Sequence, residues 1–401
     1  MERKTIDIIR KGLDTESETI DAERETIDAE RETIDTERKG LDDIKRSNGK
    51  QKKAKCNETG KIGRYEMELS LGKASIRLRE PVDIIASASV VGTKEGQGPL
   101  GALFDKIIYD SRCGAETYEE AESRLQQEAA LLALEKSGLH SADIDYVFAG
   151  DLLNQCVGSS FGMKVYGIPF LGQYGACSTM AQALISGAVF TESGAAQNAL
   201  CVTSSHFCAA ERQYRFPMEY GEVRTPTAQW TVTGAGACVL SQSGEEAKIK
   251  AAAVGKITDM QITDANNMGA AMAPAAADTV MRFLRDTGTK ITDYDRVFTG
   301  DLGLVGSDIL NELLSKEGVD LCGRHTDCGL LIYDREAQDV HAGGSGCGCC
   351  ASVLCSKILP ELQSGRLRNI LFIATGALLS ATTAQQGKSI PSIAHLVNLA
   401  V

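Results

Sequence analysis

The sequence predicts an α/β protein built from two copies of one folding unit, layered α-β-α-β-α. Three observations carry this. Beyond Arg64, strand-like and helix-like stretches alternate, the pattern of an α/β chain. Distinct stretches then recur in the same order: ASVVG at 88–92 with AAAVG at 251–255, DIDYVFAGDL at 143–152 with DYDRVFTGDL at 293–302, and ALCVTSS at 199–205 with ILFIATG at 370–376. The offsets are about 163, 150 and 171 residues, so order is kept while loop lengths drift. Finally, each half carries a helix of small apolar residues, Cys177–Phe190 and Gly346–Leu359. A helix apolar on nearly every face is buried on all sides, so the pair belongs between two sheets.

Taken in order, residues 1–63 differ in kind from the rest, with 15 Lys/Arg, 16 Asp/Glu and no aromatic residue. ETIDAER occurs at 18–24 and 25–31 and nearly again at 32–38, so Ile6, Leu13, Ile20, Ile27, Ile34 and Leu41 recur every seven residues. A coiled-coil seam needs two apolar positions per heptad. This stretch therefore reads as a charged, solvated helix or low-complexity repeat, with weak self-association as the alternative. Lys50, Lys52, Lys53, Lys55 and Lys61 follow in a polar linker. The first unit is expected over 64–245 and the second over 246–401. Amphipathic helices are expected at Glu120–Ser137 and Asp278–Thr287, each ahead of a GDL-ending strand. Pro360 lacks an amide hydrogen and should kink or end the second buried helix.

Composition excludes several classes. A net charge of −12 argues against a nucleic-acid partner. No run approaches the ~18 apolar residues of a membrane span, and the N-terminus lacks the apolar stretch of a secretion signal. Thirteen cysteines, an odd number set mostly in apolar or Gly/Ala-rich stretches, then read as reduced buried thiols. Cys347, Cys349 and Cys350 lack the spaced partner pair of a zinc site, so no metal and no resident cofactor is expected.

The motifs resemble a known family. GQYGACSTMAQAL at 172–184 is similar to the nucleophile helix of ketoacyl synthases, and TGAGACVL at 233–240 to the glycine-rich strand closing their first half. With FAGDLLNQC, TSSHFCAAERQYRFPMEYG and RTPTAQWTVTGAGA, residues 64–401 resemble the stage V sporulation protein AD family, a branch of the thiolase fold. The resemblance implies a binding protein for pyridine-2,6-dicarboxylic acid (dipicolinic acid) and its calcium chelate, with calcium present only as part of the ligand. It implies work within a membrane-associated transport complex, loading the spore in sporulation and releasing the acid in germination. The partners implied are membrane-embedded subunits of that complex, and a second copy of this chain in a homodimer. The place implied is the cytoplasmic side of the spore inner membrane, held peripherally through those partners.

Candidate site residues follow. Cys177 stands where a strand turns into the first buried helix, where the helix dipole and free amides favour a thiolate or an anion. In condensing enzymes the matching cysteine is acylated, and it works with a His and a second His or Asn from the second half. The matching stretches here, TGDLGLVGS at 299–307 and GGSGCGCCAS at 343–352, contain neither, and Cys347 stands near the Asn position. The pocket is thus expected to bind rather than turn over; the alternative is an active acyl-transferring or condensing enzyme using Cys177. His206, past a core strand, and Arg212, Arg215 and Arg224 are candidate carboxylate clamps, because a guanidinium grips a carboxylate through two parallel bonds. Asp151 and Asp301 end the duplicated strands and read as turn or helix caps. Asp151 with Asn154 alternatively orients a ligand or offers oxygens to calcium.

Overall fold

The duplicated DxDxVFxGDL stretch builds one corner twice. Asp143 accepts from the amide of His140, and Asp293 from that of Lys290. Two residues on, Asp145 accepts from the amides of Gln197 and Asn198, and Asp295 from those of Arg368 and Asn369. Asn198 and Asn369 return a side-chain amide to the carbonyls of Asp143 and Asp293. Each corner clamps the start of one parallel strand against the start of its neighbour. The repeat is therefore one of hydrogen bonds as well as letters.

The structure is a computed structural model and describes residues 70–214, 224–244, 247–321 and 323–401. The expected extension 1–63 lies outside these residues, as does Arg215. The first unit contributes strands β1 (Ser75–Gly92), β2 (Tyr146–Gly150), β3 (Phe170–Gly172), β4 (Asn198–Ser205) and β5 (Gly234–Ser241). The second contributes β6 (Ala247–Ala253), β7 (Arg296–Thr299), β8 (His325–Asp327), β9 (Asn369–Ala377) and β10 (Ser392–Ala400). Their spatial order is β8-β7-β9-β10-β6-β1-β5-β4-β2-β3, so each unit repeats the order third-second-fourth-fifth-first. In both, the fifth strand runs antiparallel to its neighbours while the second to fourth are parallel. One feature departs from expectation: β1 and β6 pair antiparallel, so the two expected sheets form one unbroken ladder.

That ladder still encloses a layer of helix. Side chains alternate across a strand, and the core divides accordingly. Phe148 of β2, Phe298 of β7 and Phe372 of β9 face inward, onto helices α3 (Thr179–Glu192) and α7 (Cys347–Val353). Their neighbours Val147, Val297 and Leu371 face outward. There α1 (Tyr118–Ser137) and α2 (Val157–Met163) lie against the first unit, and α5 (Met268–Thr287) and α6 (Gly303–Lys316) against the second. The result is α-β-α-β-α. Close approach requires glycine at Gly236 of β5, where a Cβ would stand 2.5 Å from the carbonyl oxygen of Ala351.

Helix ends follow local chemistry. Thr117 caps α1 by accepting from the amide of Glu120, and Gly138 ends it at φ 70°. The helix expected at Asp278 begins ten residues earlier, at Met268, because Asn267 supplies its cap. The second buried helix neither kinks to a stop nor ends at Pro360. It widens into a π turn at Leu354–Ile358 and resumes at Leu359–Gln363. The wider turn makes room for the proline ring, which then sits in a first turn where its missing amide costs little. The eleven cysteines among the described residues are free thiols. No helix among the described residues is long and apolar enough to cross a membrane.

Candidate functional site

Cys177 sits two residues ahead of α3 rather than within it, on a turn fastened by its neighbours. The amide and hydroxyl of Ser178 both donate to the carbonyl of Gly175. The Thr179 hydroxyl donates to the carbonyl of Ala176 and accepts from the amide of Gly175. These bonds hold Ala176 in the left-handed region at φ 49°, a strain of roughly 1–3 kcal/mol for a residue with a Cβ. The turn presses on the second unit, for a Cβ on Gly376 of β9 would lie 2.2 Å from the carbonyl oxygen of Gly175. Both halves thus fix the position of the sulfur.

Facing it is a group that the repeat placed but capping chemistry misassigned. The Asp301 carboxylate accepts from the Ser345 hydroxyl at 3.0 Å, the Gly346 amide at 2.9 Å and the Thr375 hydroxyl at 2.8 Å. Its charge also acts on the Cys177 thiol. Cys347, at the start of α7, completes a small cluster with Cys177, Leu152 and Ala210, against which Tyr214 packs. Its thiol donates to the carbonyl of Ser204 at 2.8 Å, and the Cys350 thiol donates to the carbonyl of Cys177. A cleft of about 40 Å³ opens here, lined by Cys177, Tyr214, Thr231, Met268, Ser345 and Leu379 among others. That is room for a few waters.

The electrostatics favour a thiol over a thiolate. Burial pushes the Cys177 thiol well above its usual range, and the charges of Asp301 and Cys350 push the same way; the Gly346 amide opposes them. Burial likewise raises Asp301, against the donors that hold it. A thiol starts from 9.0 and a carboxyl from 3.8, so the shared proton stays on sulfur. The nucleophile of acyl transfer is the thiolate. No cation and no histidine lines the cleft among the described residues.

The other candidates lie elsewhere. Asp151, the counterpart of Asp301, points away into the first unit. It accepts from the Leu153 amide and from the amide and hydroxyl of Ser159, the capping arrangement at the start of α2. Asn154 is exposed, and its backbone amide donates to Gln213. His206 is buried; its Nε2 bonds the carbonyl of Ser111 and its ring lies 5.5 Å from that of Tyr118, on the α1 side. Arg212 pairs with Glu119 at the surface. Arg224 pairs with Asp339 and lies 4.8 Å over the Trp230 ring. Each of these two arginines is paired with an acid, and neither they nor His206 line the Cys177 cleft. Sequence reasoning brought Cys177 and Cys347 together correctly. It missed Ser345, Thr375, Tyr214 and the direction of Asp301, although identical GDL letters on two strands marked that carboxylate.

Residues 72–400 match the family model described as stage V sporulation protein AD. The chain is 45% identical over 324 residues to stage V sporulation protein AD of Bacillus subtilis (strain 168), covering 81% of this chain and 96% of that protein. Among solved structures it is similar to 3-oxoacyl-[acyl-carrier-protein] synthase III from Aquifex aeolicus VF5. The TM-score is 0.50 at 16% identity, covering 80% of this chain and 100% of that one. It is also similar to cerulenin-bound OleA of Xanthomonas campestris, with a TM-score of 0.51 at 15% identity, covering 80% and 97%. At such identities the structural likeness shows the thiolase-like fold alone.

Proposed function

The chain belongs to the stage V sporulation protein AD family, and from that premise we propose that it is a non-catalytic binding protein whose Cys177 cleft takes dipicolinic acid as its calcium chelate. The observation that carries the reading is the buried Asp301 carboxylate, fixed by Ser345, Gly346 and Thr375, whose charge acts on Cys177. A carboxylate, where acyl transfer needs a base of higher pKa and donors for an oxyanion, keeps the sulfur protonated and repels a developing negative charge. The same carboxylate disfavours a free dianion. Glu211, the carboxylate that lines the cleft, suits a chelate whose calcium cancels the ligand's charge and has affinity for one more oxygen. At about 40 Å³ the cleft must widen. Tyr214, whose hydroxyl donates to the Leu152 carbonyl, is the wall that has to swing aside.

In this reading the protein has no resident cofactor. It works with membrane-embedded subunits of a sporulation transport complex, on the cytoplasmic side of the spore inner membrane. It also pairs with a second copy of itself. The edge strand β3 is exposed along its length, and Phe161, Phe170, Leu171 and Tyr174 present apolar surface beside it, the kind of patch that marks an interface.

Calorimetric titration of the full chain tests the ligand. Saturable heat with dipicolinate plus equimolar calcium, weaker without calcium, is expected; silence in both titrations refutes the reading. The rival, acyl transfer by Cys177, draws on the strained turn at Ala176. It requires a covalent adduct on Cys177 after incubation with acyl-CoA, read by intact mass.

A further inference from the structure

A second cleft, of about 350 Å³, lies at the far end of the second unit. Asn369, the first residue of β9, lines it, whereas Thr375 of the same strand reaches Asp301. Six residues of strand separate the two, roughly 20 Å. Two of its lining residues are charged, Arg77 and Lys250, and both are cations; no carboxylate lines it. Neither cation has a hydrogen bond or ion pair to another described residue, and both are exposed. In a chain of net charge −12, a cleft whose two charged lining residues are both cations runs against the average surface.

The backbone explains how they come together. Along β6, Ala251 and Ile249 have partners on both β1 and β10, while Lys250 between them has none, so Lys250 is the extra residue of a bulge. On the facing strand β1 the register jumps from Arg77 to Val82, and Pro81 stands in the looped-out stretch. Bulges re-aim side chains and recur beside binding sites. Here two of them open on the same space. Leu78, Pro81 and Phe283 give it an apolar part; Thr287, Thr289 and Tyr294 give hydroxyls, linked Thr287–Thr289–Tyr294 at 2.7 and 2.9 Å. The volume falls within the range of small-molecule sites.

We propose that this cleft binds a small oxyanion, a phosphate or carboxylate group on an apolar body, held by Arg77 and Lys250. Arginine grips such a group through two parallel bonds, and Lys250 adds a point charge. The group belongs either to a free metabolite or to a lipid headgroup.

The full chain would be titrated with phenyl phosphate, and separately sedimented with phosphatidylglycerol vesicles. Binding is expected to weaken at least tenfold in the Arg77→Gln/Lys250→Gln double variant and to fall with added salt. The charge-keeping Arg77→Lys/Lys250→Arg variant should retain it, which separates loss of charge from loss of fold. Cys177→Ala should bind phenyl phosphate as the parent does, so the result stands apart from the fate of the Cys177 cleft. Phenyl phosphate binding alone identifies a free anion; vesicle binding alone, lost in the glutamine variant, identifies a headgroup. Silence with both probes, or binding unchanged in the glutamine variant, overturns the proposal.

Discussion

Replacing Asp301 separates its two duties, holding the turn and holding the proton on Cys177. In Asp301→Ala, the Gly346 amide and the Ser345 and Thr375 hydroxyls all lose their acceptor. Each buried donor left unpaired costs about 1–3 kcal/mol. Hydroxyls can rotate toward other carbonyls, so the whole change is expected near ~3–5 kcal/mol, a large share of a typical domain's stability. Asp301→Asn behaves differently. Its remaining oxygen can accept from Ser345 and Gly346, and its amide can donate to a turned Thr375 hydroxyl. The expected loss is about 1 kcal/mol. Removing the charge also removes the largest influence after burial that holds Cys177 protonated. The asparagine variant should therefore be nearly as stable as the parent in urea unfolding, yet react faster with a maleimide at pH 8 at Cys177, located by peptide mass. Equal destabilisation by Asn and Ala, or a labelling rate unchanged by Asn, refutes the assignment.

Other consequences follow from the same packing. Gly236→Ala should cost about 1–3 kcal/mol in urea unfolding, because its Cβ meets the Ala351 carbonyl at 2.5 Å and α7 must retreat. His395 is buried and accepts at Nδ1 from the Gly255 amide, and burial lowers its pKa to about 4. The unfolded chain takes up that proton from about pH 6.5 downward and the folded chain does not, so stability falls as pH drops from 6.5 toward 4. The ceiling is roughly 3 kcal/mol, and a His395→Gln variant should lose this slope in melts between pH 4 and 7. Glu122 is raised by burial and by the Asp151 charge. The unfolded carboxyl ionises first as pH climbs past 4.5, so stability drains upward from there; Glu122→Gln should gain on the parent as pH rises from 5 to 7, and parallel curves would count against it. Leu171→Lys on the β3 edge should shift light-scattering mass from dimer to monomer.

The fold was legible in the sequence because duplication writes itself twice. Asp143 and Asp145 recur as Asp293 and Asp295 since each corner needs the same acceptors at the same spacing. Cys177 and Cys347 were legible because small, apolar helices can sit only at the centre of such a stack. The directions of Asp151 and Asp301 were not. They follow identical letters, but the next elements differ: α2 offers the Ser159 amide to one, while Ser345 and Gly346, distant in sequence, reach the other. The partners of the arginines are hidden for a related reason, since Glu119 and Asp339, which pair with Arg212 and Arg224, are more than 90 residues away in the chain. Pro360 read as a terminator because a π turn leaves no plain mark in the letters.

The central claim is that a thiolase-like pocket with a quiet cysteine binds a charge-neutralised ligand. Calorimetric titration of the full chain with dipicolinate, with and without equimolar calcium, puts it most directly to the test. The account predicts a saturable, calcium-strengthened signal that Cys177→Trp, filling the cleft, abolishes. No heat in either titration, or binding untouched by that substitution, contradicts it.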